Sequence, residues 1–63
     1  MLSQYEKNFL VFMFYEGTYI PEAGSKQDRI TQDLLGKGYL TKGSRGYMLN
    51  ENGIKIVKGI DKS

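Results

Sequence analysis

The first apolar stretch of the chain, Phe9–Tyr15, is unbroken and follows a helix-start signal. Ser3 and Glu6 have the spacing of a capping box, in which each side chain accepts a hydrogen bond from the backbone amide of the other residue. The pattern predicts a first helix from about residue 4 to Glu16, ending at Gly17. Since successive helical residues are about 100° apart, the apolar side chains of this run point all round the axis.

An apolar run that surrounds its helix has three interpretations. A very small fold can wrap its central helix completely. Alternatively, one side of the helix is an interface with a second copy or with another protein. The third interpretation is a β-strand, because a short apolar run does not distinguish a strand from a helix.

The middle of the chain predicts a second helix. Ser25 has the position of an N-cap, and Asp28 follows three residues later, near the positive end of the helix dipole. We expect this helix to run to about Leu35, with Ile30 and Leu34 facing the core.

Two short β-prone segments, residues 39–41 and 47–49, flank a glycine-containing stretch, Lys42–Gly46, and together predict a hairpin. Thr18–Ile20 is also β-prone and leaves room for a short third strand. Asn50 then has the position of an N-cap before the apolar spacing of a third helix, over about Glu51–Gly59. The predicted fold class is therefore α+β, with three helices and a hairpin in the C-terminal half.

Size and composition limit the chemistry. At 63 residues the chain forms one domain, and such a domain buries only about 60% of its unfolded surface. It has no cysteine for a disulfide or thiolate site, and no histidine, the commonest general base and metal ligand. Its carboxylates are scattered, and no phosphate-binding glycine loop is present. We therefore expect no enzyme, no metal site and no cofactor.

The net charge of +2 is unevenly distributed. Residues 1–36 contain three basic and five acidic residues, a net charge of −2, whereas residues 37–63 contain six basic and two acidic residues, a net charge of +4. This asymmetry favours an anionic partner, although a solvated lysine surface would give the same count.

No segment approaches the roughly 20 apolar residues that a membrane span needs. Phe9–Tyr15 is followed at once by Glu16 and lacks the small-residue cleavage site of a signal peptide. The sequence predicts a cytoplasmic protein.

Two segments carry a resemblance to a known family: Leu34–Leu40, which ends a helix and begins a strand, and Gly46–Gly53, which ends a strand and begins a helix. Together they resemble winged-helix regulators of the MarR and PadR types over residues 31–58. In those families a recognition helix ends in leucine and lysine-glycine before a strand. The second wing strand then carries a tyrosine-x-leucine-threonine-x-lysine-glycine pattern that opens the next helix.

The chain matches that second pattern at Tyr47, Leu49 and Gly53, whereas Asn50 replaces the threonine and Asn52 replaces the lysine. The resemblance also has a structural departure. A winged helix normally has two helices between its first helix and the wing, and here the spacing leaves room for one.

The resemblance implies a transcriptional regulator that binds double-stranded DNA, with the second helix in a major groove and the hairpin as a basic wing. A homodimer through the first helix is expected with it. Asp28 and Asp33, on the second helix, would face phosphates unfavourably. The implied DNA-binding residues are Lys26, Gln27, Arg29 and Gln32 on the helix and Lys42 and Arg45 on the wing.

The alternative is a protein-binding module that keeps the winged-helix scaffold without reading DNA. Small phage-encoded proteins that redirect a larger host protein have this character. The abbreviated helix-turn-helix and the excess apolar surface of the first helix favour it. Its candidate interface consists of aromatic side chains, which are common interface anchors: Tyr5, Phe9, Phe12, Phe14, Tyr15 and Tyr19.

Overall fold

A computed structural model describes residues 2–61, with side chains as far as Ile60. The elements follow in the order helix α1 (Gln4–Glu16), helix α2 (Lys26–Gly36), strand β1 (Leu40–Gly43), strand β2 (Gly46–Leu49) and helix α3 (Glu51–Asp61). The predicted α+β class, with three helices and a hairpin between the second and third, is confirmed.

Side-chain caps begin all three helices. At α1 the predicted capping box is present: Ser3 Oγ accepts from the Glu6 amide at 3.1 Å, and Glu6 Oε1 accepts from the Ser3 amide at 2.9 Å. Ser25 and Asn50 cap α2 and α3 in the same way, accepting from backbone amides three residues later at 3.1 and 2.9 Å. Each cap satisfies one of the amides that a helix start leaves unpaired.

The core lies where α1 packs against α3 and the hairpin. Thr31 of α2 is also fully buried, which the sequence pattern did not predict. Its hydroxyl donates to the Gln27 carbonyl at 2.6 Å, so burial leaves no unpaired polar atom. The buried apolar residues come from every helix and from β1: Phe9, Leu10, Met13, Ile30, Leu34, Leu40 and Val57.

The hairpin turn is shorter than predicted. β1 and β2 are antiparallel, with Gly43 opposite Gly46, so that only Ser44 and Arg45 form the turn. Lys42, which the sequence assigned to the turn, is a strand residue opposite Tyr47. Gly43 and Gly46 favoured the prediction of a longer turn, although the two glycines are paired with each other across the hairpin.

The predicted third strand is reduced to a single bridge. Tyr19 and Tyr47 exchange two backbone hydrogen bonds of 2.9 Å. The approach is close enough to require glycine at position 46, where a Cβ would lie 2.7 Å from Ile20 Cγ1 and 2.8 Å from the Tyr19 carbonyl oxygen. This bridge ties the segment after α1 to the hairpin.

The junction between hairpin and α3 is equally close. The Asn50 side-chain amide donates to the Gly38 carbonyl at 2.7 Å, and its backbone amide donates to the Tyr39 carbonyl at 3.2 Å. Gly53 is buried, and a Cβ there would collide with the Tyr39 carbonyl oxygen. Gly53 therefore has a packing function in this chain.

Candidate nucleic-acid interface

Helix α2 has one buried side and one exposed basic side. Ile30 and Leu34 lie in the core, whereas Lys26, Arg29 and Gln32 are exposed. Neither Lys26 nor Arg29 forms an ion pair within residues 2–61. Two of the predicted contact residues are thus unpaired cations on the outer side of this helix.

The structure places Gln27 elsewhere. It precedes Ile30 and Thr31 by one turn and therefore shares their side of α2. Its side chain is exposed, but it borders a groove together with Phe9 and Phe12 of α1. Gln27 is consequently separated from the outer contact residues of α2, because the helix turns it towards α1.

A hydrogen bond joins α2 to the hairpin. Gln32 Nε2 donates to the Tyr47 hydroxyl at 2.9 Å. Lys42 Nζ lies 5.8 Å from the centroid of the same tyrosine ring, which is within the range of a cation–π contact. Tyr47 therefore brings a candidate residue of the helix and a candidate residue of the hairpin together.

Two adjoining grooves lie along α2 and the hairpin. One shallow groove runs along α2 past Arg29 and Gln32, and a second runs along the hairpin past Lys42 and Tyr47; both include Asp28. Arg45 is exposed in the turn at the end of the hairpin. Lys26 borders a third groove, which it shares with Arg29 and with Tyr5 and Glu6 of α1. We call the set of Lys26, Arg29, Gln32, Lys42, Arg45 and Tyr47 the basic surface.

The two carboxylates predicted to oppose phosphates differ in environment. Asp28 is partly buried, and its carboxylate accepts from the Gly24 amide at 3.0 Å and from Gln32 Nε2 at 3.4 Å. It is thus engaged with the start of α2, where the helix dipole stabilises a negative charge. Asp33 is exposed on α2.

Lys37 is set apart from the other cations because it pairs with Glu6 across the fold. Its ammonium donates to Glu6 Oε2 at 2.6 Å, joining the end of α2 to the first turn of α1. This bond, with that from the Ser3 amide, lowers the pKa of Glu6 from 4.5 to about 2. The same bond raises the pKa of Lys37 above its ordinary value. Lys37 therefore contributes less to the basic surface than the net charge of its half of the chain indicated.

The predicted aromatic interface is divided by the fold. Phe9 is only 7% exposed, so a partner cannot reach it; its place on the buried side of α1 makes it a core residue. Tyr5, Phe12 and Tyr15 are 54%, 40% and 76% exposed. Their spacing of seven and three residues places them on one side of α1. We call these three residues the aromatic face.

The two remaining aromatic candidates lie outside the aromatic face. Tyr19 is half-buried, with its ring centroid 5.2 Å from that of Phe12. Phe14 is 41% exposed and borders a different groove with Met48 of β2. Both residues nevertheless adjoin the aromatic face, since the Phe14 ring centroid lies 5.5 Å from that of Tyr15 and Tyr19 borders a groove with Tyr5 and Phe12.

No group of three or more acidic, cysteine or histidine residues within residues 2–61 could hold a metal ion. In the same part of the chain, no helix has the length and apolar character to cross a membrane. Comparison with known proteins finds no matching family model, no matching curated protein and no matching solved structure. A functional proposal therefore depends on the residues of the basic surface and the aromatic face.

Proposed function

We propose that the protein is a small winged-helix DNA-binding protein, a cytoplasmic transcriptional regulator that contacts double-stranded DNA through α2 and the hairpin. The observation that carries the proposal is the basic surface. Arg29 of α2 and Lys42 of the hairpin border adjoining grooves that share Asp28, and the Gln32–Tyr47 hydrogen bond holds the two elements together. A fixed pair of basic elements can contact neighbouring phosphates of one duplex.

The side chains of α2 suit major-groove contacts. An α-helix about 10–12 Å wide fits a major groove about 12 Å wide. Arg29 has the donor geometry for a guanine edge, and Lys26 supplies a charge for phosphate. Lys42 and Arg45 extend the positive charge along the hairpin, where phosphate contacts would orient the protein on the duplex.

Of the two carboxylates on α2, Asp28 is compatible with DNA binding and Asp33 opposes it. Asp28 is engaged by the Gly24 amide and by Gln32, so its carboxylate is not a free charge facing the duplex. Asp33 remains exposed and would repel phosphates near the later part of α2. The part of α2 up to Gln32 is therefore the part we expect to enter the groove.

A homodimer through α1 is part of the proposal. The aromatic face is exposed in the single chain and carries no formal charge, as suits a self-complementary contact. Two copies joined there would present two basic surfaces to DNA.

The test is an NMR titration of labelled protein with a mixed-sequence duplex, first at low salt and then near physiological salt. We expect shifts at Lys26–Gln32 and at Lys42–Arg45 that weaken steeply with salt, because neutralised phosphates release counterions. Absence of shifts at low salt would contradict DNA binding.

A pair of double variants tests the hairpin. Replacing Lys42 and Arg45 by alanine should weaken binding and reduce the slope of log affinity against log salt by about 2. Replacing Lys55 and Lys58 removes the same charge from α3, a helix that contributes no residue to the basic surface. Equal effects of the two double variants would show that net charge, rather than the hairpin, controls affinity.

A protein-binding module is the second candidate, and the aromatic face is the observation that favours it. Large exposed aromatic residues are frequent anchors of protein interfaces. Under this proposal the occupant is a larger host protein, and the basic surface does not read DNA. A tagged protein with serine at Tyr5 and Tyr15 should then lose a stoichiometric partner that the unmodified protein retains from lysate. Recovery of nucleic acid alone would count against this candidate.

A further inference from the structure

Gln32 is held in one orientation by its neighbours. A glutamine amide has two N–H donors on Nε2 and an acceptor oxygen, Oε1. Nε2 donates to the Tyr47 hydroxyl at 2.9 Å and faces Asp28 Oδ1 at 3.4 Å. Since an ionised carboxylate only accepts hydrogen bonds, the Nε2 edge must face Asp28. The orientation of the amide therefore follows from its partners.

The consequence is that Gln32 has no free donor but a free acceptor. Oε1 has no hydrogen-bond partner within residues 2–61, whereas both hydrogens of Nε2 point to protein oxygens. An unconstrained glutamine can offer either edge to DNA, and with both edges it binds adenine. The Gln32 amide can instead only accept a further hydrogen bond, through Oε1.

We propose that Asp28 and Tyr47 are positioning residues that together orient the Gln32 amide, so that its Oε1 recognises amino groups in the major groove. The inference rests on the proposed function, since it requires α2 to lie in that groove. Adenine N6 and cytosine N4 donate there, whereas guanine O6 and thymine O4 accept. Gln32 Oε1 would thus bind adenine or cytosine at one position, and would repel guanine or thymine because two acceptors would face each other.

The orientation of the Gln32 side-chain amide can be tested without DNA. In side-chain amide NMR spectra, the Gln32 NH₂ hydrogens should exchange with water more slowly than those of Gln27, whose exposed amide donates to no side chain within the described residues. Tyr47→Phe keeps the ring, and with it the contact to Lys42, but removes the hydroxyl. Since the bond to Asp28 remains, the substitution should reduce the difference in exchange. Equal exchange of Gln32 and Gln27 in the unmodified protein would overturn the inference.

The base preference is tested by selecting bound duplexes from a pool with a randomised centre at low salt. The unmodified protein should enrich adenine and cytosine over guanine and thymine about fivefold at one position, the value of one hydrogen bond. Tyr47→Phe should reduce that preference, since only the 3.4 Å bond to Asp28 then orients the amide, and Gln32→Ala should remove it. Gln27→Ala is the matched control on the same helix and should retain it.

The outcomes separate this inference from the function on which it rests. Failure of the unmodified protein to retain any duplex would refute DNA binding, and the base preference with it. Retention without an amino-group preference, or with a preference that Tyr47→Phe leaves unchanged, would refute only the role of Gln32 and Tyr47.

Discussion

The close contact at Gly53 allows a sharp test of how this chain folds. Gly53 lies in the first turn of α3 and is buried against the loop before β1. A Cβ added there would collide with the Tyr39 carbonyl oxygen and lie 2.9 Å from Leu49 Cδ2. The carbonyl belongs to the backbone and cannot rotate away as a flexible side chain would. Gly53→Ala must therefore move α3 or the hairpin.

The expected loss of stability can be estimated from opposing effects. In a helix, alanine is favoured over glycine by about 1 kcal/mol. Overpacking a close contact costs about 1–3 kcal/mol, and moving the Tyr39 carbonyl also weakens its hydrogen bond with the Asn50 amide, which is worth about 1 kcal/mol. The net loss is about 2 kcal/mol, a large part of the roughly 3–9 kcal/mol available to a domain of this size. The melting temperature should fall by about 8–16 °C.

Urea unfolding followed by far-ultraviolet circular dichroism measures this loss, and Gly59→Ala is the matched control. Gly59 lies in the same helix, but a Cβ there would meet nothing within 4 Å. Gly59→Ala should therefore increase the free energy of unfolding, by up to about 1 kcal/mol. The same substitution in the same helix is expected to have opposite signs at the two positions.

Equal stabilisation by Gly53→Ala and Gly59→Ala would refute the close contact between α3 and the Tyr39 carbonyl. It would also remove the packing explanation for glycine at position 53. An unchanged m-value in both variants would show that the comparison concerns stability and not a change in the unfolded state.

Two further predictions concern polar contacts between elements. The folded-state pKa of Glu6 is lowered from 4.5 to about 2, so the stability that Glu6 contributes is present above pH 4.5 and is lost as the pH falls towards 2. Glu6→Gln should remove this part of the acid dependence of the melting temperature. The effect should be small, because solvent around Lys37 screens the ion pair. Asn50→Ala removes a helix cap and a 2.7 Å bond to Gly38, and should cost about 1–2 kcal/mol in urea unfolding. Asn52→Ala, which loses only an exposed 3.3 Å bond to the same carbonyl, should cost less, and a larger loss for Asn52→Ala would contradict the cap.

The sequence was sufficient to predict features that depend on neighbouring residues. The Ser3–Glu6 box, the Ser25 cap and the Asn50 cap were all predicted, because each joins residues three positions apart. A helix start leaves amides unpaired, so a nearby polar side chain has one favourable geometry. These signals located the three helices to within a few residues.

Contacts between distant residues could not be predicted in this way. The Gln32–Tyr47 bond joins residues 15 positions apart, and the Glu6–Lys37 pair joins residues 31 positions apart. The charge count treated Lys37 as an available cation, whereas the fold pairs it. Such contacts depend on how α1, α2 and the hairpin pack, which local patterns do not specify.

The side of α2 on which Gln27 lies could have been predicted from residue spacing alone. Gln27, Ile30, Thr31 and Leu34 follow one another at helical intervals of three, four and seven residues from the first, which places them on one side of α2. The polar character of Gln27 and Thr31 concealed that stripe. Thr31 can be buried because its hydroxyl bonds to the Gln27 carbonyl one turn earlier. Helical position was therefore a better guide than polarity here.

The position of α2 also determines whether DNA binding and self-association are compatible. Gln27 on one side of α2 borders the groove shared with Phe12 of the aromatic face, whereas Gln32 on another side bonds to the hairpin. A copy docked on the aromatic face would therefore approach Gln27. Tyr5 also borders a groove with Lys26 and Arg29, so the two surfaces meet at the start of α2. Because the basic surface and the aromatic face share no residue, substitutions at Tyr15 and at Arg45 can test association and DNA binding separately. Loss of DNA binding on disruption of association would then indicate that two basic surfaces act together.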